Sequence, residues 1–379
     1  MKKIRLGDIA TLITKGTTPT TIGFSFVDTG VNFVKIESIS ENGEFLSDKF
    51  AHITDECDNK LKRSQLEEND ILFSIAGAIG RTAIVPRSIL PANTNQALAI
   101  IRIPQNAINL RFVLYALQSQ AVEEQSEKQK QGVAQLNLSL KNIADILIPL
   151  VSSEKQDEIV RNLAAVDTAI AIRKEQIRLI DQVVKSRFIE LFGDPETNPK
   201  GWTRQRLDQI CENLDSRRVP ITSTNRKAGN YPYYGASGIV DYVKDYIFDE
   251  DILLISEDGA NLVMRSTPIA FSVSGKVWVN NHAHVVRFES KATQKYIEIC
   301  FALTDISGSI TGTAQPKLNQ AKLNAMMFCV PPIELQEQFA TFVKQTDKSK
   351  YYSSLSFRYC QAAANTYRQE WMTCRTSDF

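Results

Sequence analysis

Side chains that donate and accept hydrogen bonds are concentrated in short segments between the predicted strands of this 379-residue chain. Arg, Lys, Asn, Gln, Ser and Thr are the residue types that hydrogen-bond base edges and phosphate oxygens. Their chemistry here favours reading a nucleic acid by hydrogen bonds. The candidates are Lys15, Thr17, Thr18, Thr20, Arg81, Asn93, Asn95, Gln96, Gln135, Arg217, Arg218, Tyr233, Tyr234, Ser237, Asn281, His282, Gln315 and Lys317.

Each candidate also has an ordinary structural explanation. Loop threonines and asparagines often stabilise turns, Arg217 and Arg218 could be a solvated pair, and Tyr233 and Tyr234 could belong to a core. Gln135 and Gln315 occupy equivalent places of a repeat, where a turn-stabilising hydrogen bond explains them as well as a ligand does. The sequence leaves these alternatives open.

The sequence lacks the usual motifs of catalysis and of metal binding. It has no GxxxxGK[ST] loop, no GxGxxG motif after a strand and no CxxC pair among its six cysteines. His282 and His284 would point to opposite faces of a strand, so no metal site is expected. A nuclease built on Asp70, Asp251 and Glu257 remains a minor alternative, and a protein-interaction scaffold without DNA binding is the main rival.

Charge and hydropathy restrict the class of protein further. The net charge is only +1, so nucleic-acid binding would depend on local patches or on a partner that supplies further phosphate contacts. No apolar run approaches the roughly 18 residues of a membrane span, and the N-terminus lacks the apolar stretch of a secretory signal. Because the six cysteines form no CxxC pair, we also expect free thiols in a reducing compartment.

The chain repeats itself with an offset of about 180 residues. Gly132 to Gln135 (Gly-Val-Ala-Gln) recurs as Gly312 to Gln315 (Gly-Thr-Ala-Gln), and the apolar pattern after both agrees. Upstream, Asp70-Ile71-Leu72 matches Asp251-Ile252-Leu253, and Asn95-Gln96-Ala97 resembles Asn281-His282-Ala283. Each half is predicted to contain a β-rich part, the Gly-Xaa-Ala-Gln loop, an apolar strand and a helix.

A long helix is the clearest predicted element. Ser153 and Gln156 fit a capping box, Gly193 follows its end, and about 40 residues at 1.5 Å each give a rod of about 60 Å. A second helix should begin near Ile333 and pair with the first, but the stretch from Ser353 to Phe379 has no clean heptad. The apolar residues predicted to pair the helices are Ile159, Leu163, Val166, Ile170, Ile177, Ile180, Val184, Phe339 and Val343.

The order and duplication of several segments resemble the specificity subunit of type I restriction–modification systems. No single segment is specific, but together they cover residues 1 to about 350. The segments are Leu6 to Ile9, Lys15 to Pro19, Asp70 to Phe73, Asn93 to Gln96, Tyr231 to Ile239, Gly312 to Pro316 and Pro331 to Gln338.

The resemblance implies an α+β fold with two pseudo-two-fold-related β-rich target recognition domains joined by long antiparallel coiled-coil helices. The implied divisions are a first recognition domain (1–150), a central helix (151–193), a second recognition domain (194–331) and a C-terminal helix and tail (332–379). Such a subunit is cytoplasmic and catalyses nothing. It binds double-stranded DNA at an interrupted site.

The resemblance also implies its partners. These are modification subunits, two of them expected, that methylate adenine with S-adenosylmethionine, and a restriction subunit that uses ATP and Mg²⁺ to translocate and cut DNA. This chain itself is expected to hold no cofactor, no metal and no membrane contact.

Overall fold

The computed structural model describes residues 2–104, 107–129, 137–312 and 314–373. The chain forms two compact units. Unit 1 contains Met1–Ile172 and Ser356–Phe379, and unit 2 contains Arg173–Leu355. The two longest helices contribute to both units, because each unit boundary falls inside a helix. Among the described residues, every helix is too short or too polar to span a bilayer.

Nine short strands and six α-helices begin in unit 1, counted over its described residues. In chain order they are β1 (Lys3–Arg5), α1 (Leu6–Ile9), β2 (Leu12–Lys15), β3 (Val31–Val34), β4 (Ala51–Ile53), α2 (Asp55–Lys60), β5 (Ile71–Ser74), β6 (Thr82–Ile84), β7 (Ala92–Thr94), β8 (Leu98–Arg102), α3 (Leu110–Leu117), α4 (Gln120–Gln129), α5 (Leu140–Ala144), β9 (Leu147–Pro149) and α6 (Ser153–Phe192).

The central sheet of unit 1 has the antiparallel order β2-β8-β5-β6. Successive side chains of each strand point to opposite faces of the sheet, and each face packs against its own core. Ile71 and Phe73 face the core formed with α3 and α6, whereas Leu72 and Ile100 face the other core. A smaller sheet, β4-β3-β7, has β3 parallel to β7, and β1 pairs with β9 at the exit toward α6.

Unit 2 repeats this plan. Its elements are β10 (Arg204–Arg206), α7 (Leu207–Ile210), β11 (Glu212–Asn213), β12 (Ala228–Gly235), β13 (Gly238–Val243), β14 (Phe248–Asp249), β15 (Ile252–Ser256), α8 (Asn261–Met264), β16 (Ala270–Val273), β17 (Lys276–Val279), β18 (Ala283–Arg287), α9 (Lys291–Leu303), α10 (Gln320–Ala325), β19 (Met327–Cys329) and α11 (Ile333–Thr373).

The sheets of unit 2 correspond to those of unit 1. The central sheet has the order β11-β18-β15-β16, the second sheet is β13-β12-β17-β14 with β12 parallel to β17, and β10 pairs with β19. The predicted duplication of a β-rich part followed by a long helix is confirmed.

The long helices pack antiparallel within each unit. In unit 1 the side chain of Asn162 donates to the hydroxyl of Tyr367 (2.9 Å), and Trp371 packs on Phe112 with ring centroids 5.0 Å apart. In unit 2 Lys350 forms an ion pair with Asp181 (2.6 Å). The C-terminal segment without a heptad pattern therefore does pair, as far as Trp371, through aromatic and polar contacts.

The predicted helix-pairing residues follow a gradient of burial. Those nearest the β-rich parts are buried, namely Ile159, Leu163, Val184, Phe339 and Val343, and Val166, Ile170, Ile177 and Ile180 are half-buried. The predicted capping box at Ser153 is wrong. The Ser152 hydroxyl accepts from the Lys155 N–H (3.4 Å), while the Gln156 amide donates to Val151 O (3.0 Å) and accepts from Asn109 N (2.9 Å).

Candidate nucleic-acid interface

Three segments of unit 1 meet at one end of the central sheet, and we name residues 15–18, 75–76 and 95–97 the first loop cluster. The Gly16 N–H donates to Asn95 O (3.2 Å), and the Ile75 N–H donates to Ala97 O (2.8 Å). The Thr18 hydroxyl bonds the Gln96 side-chain oxygen. A Cβ at position 16 would lie 1.8 Å from Thr94 O, so only glycine permits this approach.

The segment that leaves the recognition part runs beside this cluster. The Leu138 N–H donates to Ile75 O (2.9 Å), and Asn137 bridges to Ala76. Gln135, predicted as a contact, lies outside the described residues. The cluster thus brings together Lys15, Thr17, Thr18, Asn95 and Gln96 from the predicted set, with Lys15 and Gln96 exposed. Thr20 is exposed on the neighbouring turn.

Two predicted residues of unit 1 have structural contacts instead. Asn93 is fully buried, where its amide donates to Asp58 Oδ1 (2.8 Å) and Leu61 O (3.2 Å). Arg81 is half-buried, and its guanidinium donates to Ile36 O (3.1 Å) and Ile39 O (2.7 Å). Asn93 therefore has no surface to offer a ligand in this structure, and Arg81 holds a loop in place.

A corresponding arrangement exists in unit 2, and we name residues 215–218, 256–258, 280–284 and 317–318 the second loop cluster. The Leu318 N–H donates to Glu257 O (2.8 Å), and the Glu257 N–H donates to His282 O (2.9 Å). These are the same two backbone hydrogen bonds that join Leu138, Ile75 and Ala97 in unit 1. The exit segment therefore meets the loops in the same way in both units.

The second loop cluster is held by ion pairs, and none is seen among the described residues of the first. Arg218, with a side chain only 13% exposed, donates to Glu257 Oε2 (2.6 Å) and Ala283 O (2.8 Å). Its Nε donates to Asp215 O (3.1 Å). Lys317 completes the group with an ion pair to Glu257 (3.1 Å). Arg218 therefore fastens the loops of the cluster together, and little of it remains for a ligand.

His284 is the buried centre of this group. Its Nδ1 lies 2.6 Å from Asp215 Oδ2 and its Nε2 lies 2.7 Å from Leu318 O. The ring of His284 thus bridges the Asp215 carboxylate and the exit segment at Leu318. Burial alone would raise the pKa of Asp215. The hydrogen bonds from His284 and from the Val285 N–H, together with the nearby Arg218, outweigh burial and lower that pKa.

The pKa of Glu257 is lowered for a similar reason. Burial opposes the charged form, and the hydrogen bonds from Arg218 and Lys317 overcome it. Two carboxylates, an arginine, a lysine and a histidine are thus linked by ion pairs and hydrogen bonds beneath the loops. Their net effect is to hold residues from four separate segments in one arrangement.

The remaining predicted residues of unit 2 divide between core and surface. Tyr233 is 1% exposed and its hydroxyl bonds the backbone of Ile221 (3.0 Å), so it is a core residue. Arg217 pairs with Glu250 (2.7 Å) at the surface, and His282 lies 2.9 Å from Asp258. Tyr234 is half-buried, and Ser237, Asn281 and Gln315 are exposed, as are Arg217 and His282.

The structure shifts the sequence repeat by one residue. Asn95 Oδ1 accepts from the N–H two residues on, at Ala97 (3.1 Å), and Asn280 Oδ1 does the same with His282 (2.8 Å). The ladders agree, since Ser74 opposes Leu98 and Ser256 opposes Ala283. Asn95 therefore corresponds to Asn280, which sequence matching missed, and Gln96 corresponds to Asn281.

The same slip affects the other upstream match. Ile71 packs in the core shared with α3, whereas Ile252 packs on the opposite face of its sheet and Leu253 packs toward α9. Ile71 thus corresponds to Leu253. A one-residue slip reverses the face of every side chain in a strand, so the Asp70–Asp251 match does not survive.

The carboxylates considered for a nuclease occupy separate ion pairs. Asp70 pairs with Arg102 (2.7 Å), Asp251 pairs with Lys291 (2.6 Å), and Glu257 belongs to the ionic cluster. Within residues 2–104, 107–129, 137–312 and 314–373, no three His, Cys, Asp or Glu side chains are grouped as metal ligands.

Comparison with known proteins identifies the family. Residues 1–182 and 199–351 match the model of the type I restriction modification DNA specificity domain. The MjaIX specificity subunit of Methanocaldococcus jannaschii is 22% identical over 77% of this chain and 74% of its own length. Alignments at 33% and 35% identity with specificity subunits of Haemophilus influenzae and Escherichia coli (EcoBI) span only 34% and 28% of those proteins.

Solved structures share the fold. The S subunit of a type I restriction–modification system from M. genitalium superposes with a TM-score of 0.55 at 14% identity, over 99% of this chain and 96% of that one. A chain from a study of type I complex assembly and conformational transition gives 0.52 at 15% identity, over 97% and 96%. Two matching domains, two loop clusters and the paired helices agree, and the chain belongs to the family of type I restriction–modification DNA specificity subunits.

Proposed function

We propose that this subunit reads an interrupted DNA site, with each loop cluster contacting one half. The observation that carries the proposal is the duplication of one backbone arrangement with different exposed side chains. Gln96 in the first cluster and Asn281 in the second are exposed at corresponding positions. Amide side chains of different length reach base edges at different distances from a common scaffold, whereas the scaffold itself needs only its backbone hydrogen bonds.

We propose that the paired helices serve assembly with modification and restriction subunits in the cytoplasm. The helices carry apolar side chains that remain about half exposed, including Ile172, Leu179 and Val183 of α6, at 52%, 45% and 50%. Tyr352 and Tyr359 of α11 are each 67% exposed. Exposed apolar residues along one helix suit a protein partner. S-adenosylmethionine, ATP and Mg²⁺ would be bound by those partners.

The test is to express the chain with its modification subunit, supply S-adenosylmethionine and a random duplex library, and sequence the methylated products. The expected result is one motif with two specified halves and an unspecified spacer. A complex that assembles and binds DNA but yields an uninterrupted motif would contradict reading by two units. Assembly without any DNA binding would favour a protein-interaction scaffold.

A further inference from the structure

Two asparagines at corresponding positions use one side of the amide and leave the other unused. The Oδ1 atoms of Asn95 and Asn280 accept from the backbone N–H two residues on, at 3.1 and 2.8 Å. Among the described residues, neither Nδ2 finds an acceptor. Because the oxygen must face the N–H, the orientation of each amide is fixed by its turn.

A largely buried donor without an acceptor is uncommon and costs free energy. Asn280 is only 6% exposed, and its Nδ2 lies beside the β12–β13 turn, 3.4 Å from where a Cβ of Gly235 would be. Its Nδ2 is nevertheless not fully sealed from solvent. The amide nitrogen is therefore within reach of a group that approaches from outside.

The geometry restricts the kind of group that could accept this hydrogen bond. An asparagine that reads adenine uses its oxygen and nitrogen together, whereas here the oxygen is oriented by the backbone N–H that it accepts. The unused group of each amide is the Nδ2 donor. The ligand atom that this donor suits is an acceptor, such as a phosphate oxygen or a base acceptor.

Comparison of the two units distinguishes a phosphate oxygen from a base acceptor. The neighbours of the asparagines differ between units, since Ala97 corresponds to His282, and Lys15 corresponds to Asp215. The asparagine is the side chain whose hydrogen bond is the same in both units. A contact that both units make identically, although they read different half-sites, fits the part of DNA that is the same at every sequence.

We propose that Asn95 and Asn280 each donate a hydrogen bond from Nδ2 to a backbone phosphate oxygen, one in each half-site, and so set the register of the loop clusters on the duplex. This inference rests on the proposed function. It assigns a positioning role to Asn280, and it separates that role from base reading by the next residue in each loop.

Replacing asparagine by aspartate tests it directly. In Asn280→Asp the carboxylate still accepts the His282 N–H, so the turn is kept, but the donor becomes an anion facing phosphate. In complex with the modification subunit, Asn280→Asp and Asn95→Asp should each bind DNA about ten-fold more weakly. The loss should be equal on the cognate duplex and on an unrelated duplex of the same length, and the methylated motif should not change.

Asn319→Asp is the matched control. Its Oδ1 accepts the Lys322 N–H (2.9 Å) at the start of α10, where aspartate caps equally well. It adds the same charge to the same unit and should bind DNA as the unmodified chain does. Asn280→Ser removes the amide donor without adding charge and keeps a turn acceptor, so it should weaken binding several-fold. If Asn280→Asp melts at a lower temperature than the unmodified chain, the binding measured for Asn280→Ser tests the inference instead.

Three outcomes would overturn the inference while the proposed function stands. Binding by Asn280→Asp and Asn280→Ser equal to that of the unmodified complex would reduce Asn280 to a turn residue. A loss confined to the cognate duplex, or a changed base in the motif, would make it a base reader. A loss in Asn319→Asp as large as that in Asn280→Asp would show a general charge effect. If the unmodified complex bound no DNA, the proposed function itself would fail.

Discussion

The junctions beneath the two loop clusters share a backbone and differ in chemistry. In unit 1 Lys15 and Ala99 oppose each other on neighbouring strands, and the adjacent loop starts at the buried Ile75. In unit 2 the corresponding partners are Asp215 and His284, and Glu257 replaces the isoleucine. The hydrogen bond that joins the exit segment to the loop is nevertheless the same, at 2.9 Å in unit 1 and 2.8 Å in unit 2.

The difference shows that the backbone contacts define this scaffold and that the side chains filling it can change completely. An apolar filling tolerates loss of any one residue at the cost of a cavity. An ionic filling is stabilising only while every member is present, because a buried charge left without its partner is costly. The two units should therefore respond differently to the same kind of disturbance.

The largest expected effect is from removing Arg218. Arg218→Ala leaves Asp215 and Glu257 without a major cation, so the free energy of opening of the β18 amides should fall by about 3–4 kcal/mol. Amide exchange followed by mass spectrometry measures it, with β8 of unit 1 as the internal reference. Arg217→Ala is the matched control, since its exposed pair with Glu250 should contribute under about 1 kcal/mol. Equal effects of the two substitutions would contradict the ionic junction.

The second-largest expected effect is that acid destabilises unit 2 more than unit 1. The pKa values of Asp215 and Glu257 are held below their ordinary 3.8 and 4.5, so their contribution is complete above those values and is lost as the pH falls through the lowered pKa. The corresponding positions of unit 1 carry no carboxylate. Exchange protection of β18 should therefore fall below pH 4 more steeply than that of β8, and Glu257→Gln should reduce this difference. Parallel loss in both units would contradict the prediction.

A smaller contrast involves the glutamines at the starts of the long helices. Gln156 satisfies both ends of its amide, whereas Gln336 donates to Pro331 O (2.7 Å) and its buried Oε1 has no partner among the described residues. Gln156→Leu should cost about 1–2 kcal/mol, because it strands the Asn109 N–H. Gln336→Leu should cost less. Thermal melting of both variants measures the contrast, and the reverse order would contradict it.

The sequence was sufficient for elements that depend on local patterns. The 40-residue helix α6 was predicted within one or two residues, because its apolar period and its flanking residues determine it. Pairing of the C-terminal segment was not predictable, since Tyr367, Arg368 and Trp371 pair through contacts that no heptad describes.

The site was predicted less completely than the fold. Composition identified loops that do meet, but it could not distinguish an arginine that forms an ion pair with Glu257 from an arginine that faces solvent. The Asn95 match was displaced by one residue because identity of short polar segments carries no information about strand register. Hydrogen bonds between distant segments decide both questions, and sequence spacing does not encode them.

The most direct test of reading by two units is to change one reader in each. The methylated motif of the complex is determined for Gln96→Ala and for Asn281→Ala, each beside the unmodified chain. We expect Gln96→Ala to relax one base position in one half of the motif and Asn281→Ala to relax one position in the other half only. If either substitution altered both halves, or if both altered the same half, the assignment of one loop cluster to each half-site would be contradicted.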